Sequence, residues 1–129
     1  MNDVIGIDNV LFPVGDLDEA RRLYGGTLAF DEDFAFPEIG MVGYKVGAET
    51  PGLIIRAADA PRSSVAAGPR LLLEVPDARA TYEWLGARTG LPGRVYSLRT
   101  GYAFEFVDPW GNAIGFADYA LAPHKARPN

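Results

Sequence analysis

The stretch DPWGNAIGF, Asp108 to Phe116, decides how the rest of the chain is read. Asp-Pro starts a turn, and Gly111-Asn112 supplies residue types that tolerate positive φ. The apolar run Ala113-Ile114-Gly115-Phe116 then reads as a strand leaving the turn. Gly115 is the anomaly. Glycine weakens a strand interior, and it marks a bulge or a place where something comes close.

Working outward, two further stretches open helices. In VGDLDEARRLYGG, Asp16 is placed to cap the helix with Glu19 three residues on. Leu17, Ala20 and Tyr24 follow on one face, and Gly25-Gly26 is expected to stop the helix. VPDARATYEWLGA repeats the design: Asp77 caps, Ala78, Tyr82 and Leu85 form the stripe, and Gly86 ends it. Tyr82 and Trp84 read as packing residues of that helix.

The two pieces lie 61 residues apart, and Val10-Leu11-Phe12 falls over Leu71-Leu72-Leu73 at the same offset. That spacing is too long for a solenoid repeat and too short for two independent domains. It predicts an α+β chain of two tandem βαβββ modules. Module one covers about 4–58, a Pro- and Ser-bearing linker about 59–69, module two about 70–120 and a tail 121–129, read as frayed or an oligomer contact. Strands are expected near 29–36, 41–46 and 52–57 and again near 93–98, 102–107 and 113–118.

Composition narrows the function classes. The chain has 129 residues, 48% of them apolar, and a formal charge of −5. Scattered Lys and Arg on an acidic chain work against nucleic acid. No apolar run approaches the ~20 residues that span a bilayer, and no secretory leader is visible, so a cytoplasmic protein is expected. Cysteine is absent, which removes disulfides and thiolate metal sites. No nucleophile elbow, P-loop or dinucleotide fingerprint occurs.

The tandem modules, the V-x-D-L-x-x-A-x-x-x-Y helix entry and the D-P-x-G-N turn resemble the vicinal oxygen chelate superfamily, which includes glyoxalase I, extradiol dioxygenases and fosfomycin- and bleomycin-resistance proteins. The resemblance covers about 4–120. It implies curved sheets that form a half-barrel cavity, a homodimer, and metal ligands on inward strand positions. Those ligand positions fall on Asn9, Ile54, Arg70 and Gly115, where the usual G-N-x-I-E reads G-N-A-I-G. Ile and Gly offer no donor, Arg stays protonated, and Asn is a weak neutral ligand. The only histidine, His124, lies in the tail. No metal and no cofactor are therefore expected. An oxygen-only site from Asp8, Glu74, Glu105 and Asp118 lacks imidazole and any motif at metal spacing.

Strand alternation puts Leu71, Leu73 and Val75 against the helices and Arg70, Leu72 and Glu74 towards the cavity. Arg70 and Glu74 either orient a polar ligand or bridge each other at the rim. Asn9 either bonds a ligand or a neighbouring strand. Gly115 leaves room for bulk unless it marks a bulge. Tyr44, Tyr96, Tyr102, Phe104 and Trp110 complete the ligand-binding candidates, with most of the aromatics assigned to the core. Trp110 is expected to be an exposed indole at a pocket lip or dimer contact.

These residues favour a metal-independent binding protein that sequesters an aromatic or cationic, antibiotic-like small molecule in a cavity at the dimer. The alternative is a metal-independent enzyme of lyase or isomerase type acting on a natural-product or carbonyl intermediate. Glu74 or Glu105 would be its base, with Tyr96 or Arg70 stabilising charge. A third reading is a regulatory or structural module whose cavity its own side chains fill.

Overall fold

The computed structural model describes residues 1, 3–48, 52–89 and 93–128. The chain divides into two compact units, Met1–Arg62 and Ser63–Asn129. In unit one, β1 (Asn9–Val14) leads into α1 (Leu17–Arg21), followed by β2 (Asp31–Phe36), β3 (Met41–Lys45) and β4 (Gly52–Ala57). Unit two repeats the order with β5 (Arg70–Glu74), α2 (Ala78–Thr89), β6 (Tyr96–Ser97), β7 (Tyr102–Val107) and β8 (Ala113–Ala117). The sheets run β1-β4-β3-β2 and β5-β8-β7-β6, each with one parallel pair at the crossover and antiparallel pairs beyond it. The repeat read at an offset of 61 residues is thus a repeat of topology, and the fold is α+β with two βαβββ modules.

Both helices start where their aspartates stand. Asp16 accepts from the Glu19 amide at 2.9 Å, and Asp77 accepts from the Arg79 and Ala80 amides at 3.0 and 3.1 Å. Each bond satisfies an amide that the first helical turn leaves unpaired. Asp77→Ala is expected to lower stability by about 1 kcal/mol, read from the urea midpoint. An unchanged midpoint would show that the cap contributes nothing.

The helix ends differ from expectation. Gly25 and Gly26 do not stop α1: the chain continues through them as a π-helical turn, Arg22–Thr27, closed by the Leu28 amide on the Leu23 carbonyl at 2.8 Å. Tertiary packing explains the continuation, because Tyr24 in this turn is fully buried and Tyr44 packs against the bare face of Gly25. Likewise α2 passes through Gly86 to Thr89. On α2, Ala78 and Leu85 are buried as the stripe predicts, but Trp84 points outward under the Arg88 guanidinium. β6 is only two residues long, and only Gly111 of the Gly111-Asn112 pair takes positive φ, at 88°.

Each sheet buries one face against its helix. In unit one that face carries Phe12, Val14, Val42, Leu53 and Ile55, and α1 and its π-turn add Ala20, Tyr24 and Leu28. In unit two it carries Ile114, Phe116, Phe104 and Phe106; the Phe104 and Phe116 rings stack with centroids 5.1 Å apart, and Tyr82 meets Phe104 edge-on at 5.2 Å. Burying each such side chain contributes about 1.5–3 kcal/mol, so these apolar faces supply most of the drive for folding.

The tail is not frayed over its described residues. Ala122 is buried, a short 3-10 turn spans Pro123–Lys125, and Arg127 donates to Glu74 from its amide at 2.9 Å and its guanidinium at 2.7 Å. Asn129 lies outside the described residues.

Candidate functional site on the open sheet faces

The strand register shows what the opposite sheet faces present. In unit one Leu11, Ile54, Gly43 and Phe34 lie across from one another on β1, β4, β3 and β2. In unit two Leu72, Gly115 and Glu105 form the corresponding rung of β5, β8 and β7. Each rung holds one glycine, and in each a neighbour leans into the space. Phe34 covers Gly43 so closely that a Cβ there would collide with its ring.

Gly115 sits in regular register, so it is no bulge. A Cβ at Gly115 would lie 2.7 Å from the Leu72 Cδ1 and 3.2 Å from the Glu105 Cγ. The glycine is required because the stem of a glutamate on the neighbouring strand crosses it. Glu105 thus brings a carboxylate over the position where the resembling pattern carries one on β8.

That carboxylate is anchored. Arg70 donates from Nε to Glu105 Oε2 at 2.6 Å, and the Tyr96 hydroxyl donates to Oε1 at 3.3 Å. Desolvation, then the Glu105 charge and hydrogen bond, push the Tyr96 phenol above its usual range, so it remains a donor. The ion pair is half exposed and contributes little to stability, but it orients the carboxylate. Beside it two apolar side chains are exposed, Leu72 at 59% and Tyr96 at 40%.

Arg70 and Glu74 lie on one face of β5 as alternation predicts, but they do not bridge each other. Arg70 turns to Glu105, and Glu74 to Arg127. The Arg127 amide bond lowers the Glu74 pKa most; desolvation opposes it, and the Arg127 side chain lowers it further, leaving the carboxyl below its usual range. Asn9 is exposed and donates to the Asp8 carboxylate at 2.9 Å.

Four aromatic candidates lie elsewhere. Tyr44 opposes Leu53 and Glu32, Tyr102 shares its face of β7 with Phe104, and Phe104 opposes Phe116, so all three point to the helix side. The period of two decides this, since each is an odd number of residues from an open-face neighbour on its strand. Tyr102 lies under the Arg79 guanidinium at 4.1 Å. Trp110 is only 8% exposed, not an exposed lip. The linker runs along its turn, with the Ser63 amide on the Pro109 carbonyl at 2.8 Å and the Ala67 amide on the Gly111 carbonyl at 3.2 Å. Asp108 holds the turn from inside, accepting from the Trp110 and Asn112 amides at 2.9 Å each and from the Asn112 side chain at 2.8 Å.

The metal set of the resembling superfamily does not fit these residues. Arg70 is a protonated cation already paired, Ile54 has no donor, and the space at Gly115 is filled by hydrocarbon from Leu72 and Glu105. Asp118 is committed to three backbone amides, those of Ala78, Tyr102 and Ala120. Among the described residues no group of three or more His, Cys, Asp or Glu is assembled to hold a metal ion. No helix is long and apolar enough to cross a membrane, again among the described residues.

No family profile matches the chain, and no curated protein sequence matches it. Solved structures do match. A glyoxalase/bleomycin resistance protein/dioxygenase from Nocardioides is 14% identical, with 100% of this chain and 93% of that chain covered and a TM-score of 0.76. A lactoylglutathione lyase from Agrobacterium tumefaciens is 18% identical over 95% of this chain and 99% of its own, with a TM-score of 0.69. The fosfomycin resistance protein FosX from Mesorhizobium loti is also 18% identical over 95% and 99%, with a TM-score of 0.68. Identities this low speak for fold, not chemistry. With the repeated β1-β4-β3-β2 topology and the D-P-x-G-N turn, they establish that this chain has the fold of the vicinal oxygen chelate superfamily.

Proposed function

We propose that the chain is a metal-independent small-molecule binding protein that sequesters an aromatic or cationic, antibiotic-like ligand on the open face of the β5-β8-β7-β6 sheet, working as a homodimer. The observation that carries this is the anchored Glu105 carboxylate, set over Gly115 beside the exposed Leu72 and Tyr96. Such a face offers apolar area for affinity and one oriented charge for selectivity. A second copy would enclose the exposed Leu72 and Tyr96. Two of the similar structures carry 'resistance protein' in their names, which is why antibiotic-like molecules are the ligands to try first.

Titration calorimetry with a panel of cationic and neutral aromatic antibiotics tests the proposal. Saturable binding of at least one cationic member is expected, weakened about tenfold in Glu105→Gln, as suits loss of one charge-assisted contact. No saturable binding across the panel would overturn it. The enzyme reading gains less from the geometry. Glu74 is bonded on both oxygens by Arg127 and held below the usual carboxylate range, which disfavours it as a base.

A further inference from the structure

Arg70 and Glu105 form a charge-balanced pair on the open face of unit two, and each keeps hydrogen-bonding capacity that the other does not use. Arg70 engages only Nε, on Glu105 Oε2 at 2.6 Å; its two terminal nitrogens make no hydrogen bond among the described residues. Its side chain is 56% exposed, so a ligand can reach it. Glu105 Oε1 receives only the Tyr96 hydroxyl, at 3.3 Å, longer than a strong O–H···O bond. A carboxylate oxygen carries two lone pairs, so Oε1 can accept once more.

We propose, resting on the reading of this face as a binding site, that the pair recognises a zwitterion: an aromatic molecule of the α-amino acid type. Its carboxylate lies on the terminal nitrogens of Arg70 and its ammonium on Glu105 Oε1.

The charge arrangement selects this class. A guanidinium and a carboxylate in contact have no net charge, so the pair has little field with which to draw in a simple cation or a simple anion. What it presents is a dipole, positive at Arg70 and negative at Glu105. A ligand with ammonium and carboxylate on one carbon offers the opposite dipole, and each of its charges meets its opposite. A ligand with one charge is attracted by one partner and repelled by the other.

The surroundings fix the dipole and receive the ring. The Glu105 stem is wedged over Gly115 beside Leu72, since a Cβ at Gly115 would meet both Glu105 Cγ and Leu72 Cδ1. Tyr96 holds the other end of the carboxylate. Leu72 and Tyr96 are also the exposed apolar side chains beside the pair, so the ligand ring packs on them while its charged end meets Arg70 and Glu105. β5 is an edge strand of its sheet, which leaves Arg70 and Leu72 without a strand on their outer side.

The test uses the full chain, 15N-labelled, titrated separately with L-phenylalanine, phenethylamine and hydrocinnamate, which share a ring and differ in charge. Saturable amide shifts on β5, β7 and β8 are expected with phenylalanine, at an affinity about fivefold above either singly charged relative. Arg70→Gln is expected to turn the preference to phenethylamine, because Glu105 is then unopposed, and Glu105→Gln to turn it to hydrocinnamate. The pair is half exposed, so both variants keep the fold, which the urea midpoint verifies. Equal or tighter binding of a singly charged relative by the wild type, or a preference unchanged in both variants, would overturn the proposal and leave the face a binding site. Shifts confined to unit one, or none with any of the three, would overturn it as well. The antibiotic panel then decides separately whether the reading of the face as a binding site falls with it.

Discussion

Asp118→Ala is expected to lower stability by about 3–5 kcal/mol and the thermal midpoint by about 10 °C or more. The Asp118 side chain is 2% exposed, just beyond β8, and joins three parts of unit two. Oδ2 accepts from the Ala78 amide, the first of α2, at 2.8 Å. Oδ1 accepts from the Tyr102 amide at the start of β7 at 2.9 Å and from the Ala120 amide at 3.1 Å. Alanine removes all three acceptors at once and leaves one buried and two part-buried donors without them, at about 1.5–3 kcal/mol for each bond to a charged group before relaxation. Gly101 belongs to the same arrangement, because a Cβ there would collide with the Asp118 carbonyl and carboxylate.

The same carboxylate predicts an acid transition. Desolvation alone would raise its pKa, but the amides of Ala78, Tyr102 and Ala120 and the nearby Arg79 outweigh it, so the folded value lies below the ordinary aspartate range. A depressed folded pKa means the stabilisation is fully present above the unfolded value near 4. It is lost as pH falls through the folded value. Asp118→Asn should therefore flatten the loss of stability below about pH 4, measured as urea midpoint against pH. A midpoint within about 0.5 kcal/mol of wild type in Asp118→Ala would show that other groups fix the α2 entry.

The second large effect concerns Gly115. Gly115→Glu restores the residue of the resembling pattern, yet it is expected to cost about 3 kcal/mol and to create no zinc, nickel or manganese affinity. The new Cβ meets Leu72 at 2.7 Å and the Glu105 stem at 3.2 Å, so the sheet must yield or the side chains must leave their rotamers. The new carboxylate also stands beside Glu105 at a buried position, where like charges repel. Even if both are accommodated, Arg70 and Ile54 offer a metal nothing. Calorimetry with each metal and the denaturation midpoint check the two halves separately. Micromolar metal binding by this single variant would mean that the other three positions supply more than their side chains suggest.

Much of this was legible in the chain. Asp16 and Asp77 announce helix starts because a short carboxylate before an amphipathic run has few better uses than the free amides of the first turn. The offset linking Asn9 with Arg70 and Ile54 with Gly115 predicted two sheets of one topology, since equal patterns of strand, cap and turn leave equal connections. The emptied ligand positions needed only residue chemistry. What failed were local rules that tertiary contact overrode. Gly25 and Gly26 read as a stop, yet burial of Tyr24 and the packing of Tyr44 on Gly25 carry the helix through them. Trp110 read as exposed because nothing in its own turn shows that residues 63–67 will lie alongside.

The sequence by itself determined the fold class, the helix caps, the turn at Asp108–Asn112 and the loss of the metal donors, because each depends on residues near in the chain or on side-chain type alone. Only the tertiary structure decided that Glu105 fills the space over Gly115, that Arg70 turns to it rather than to Glu74, and that Tyr44 faces a pocket on the helix side. Those facts are set by strand register between segments ten or more residues apart, where a shift of one residue would send every side chain to the other face.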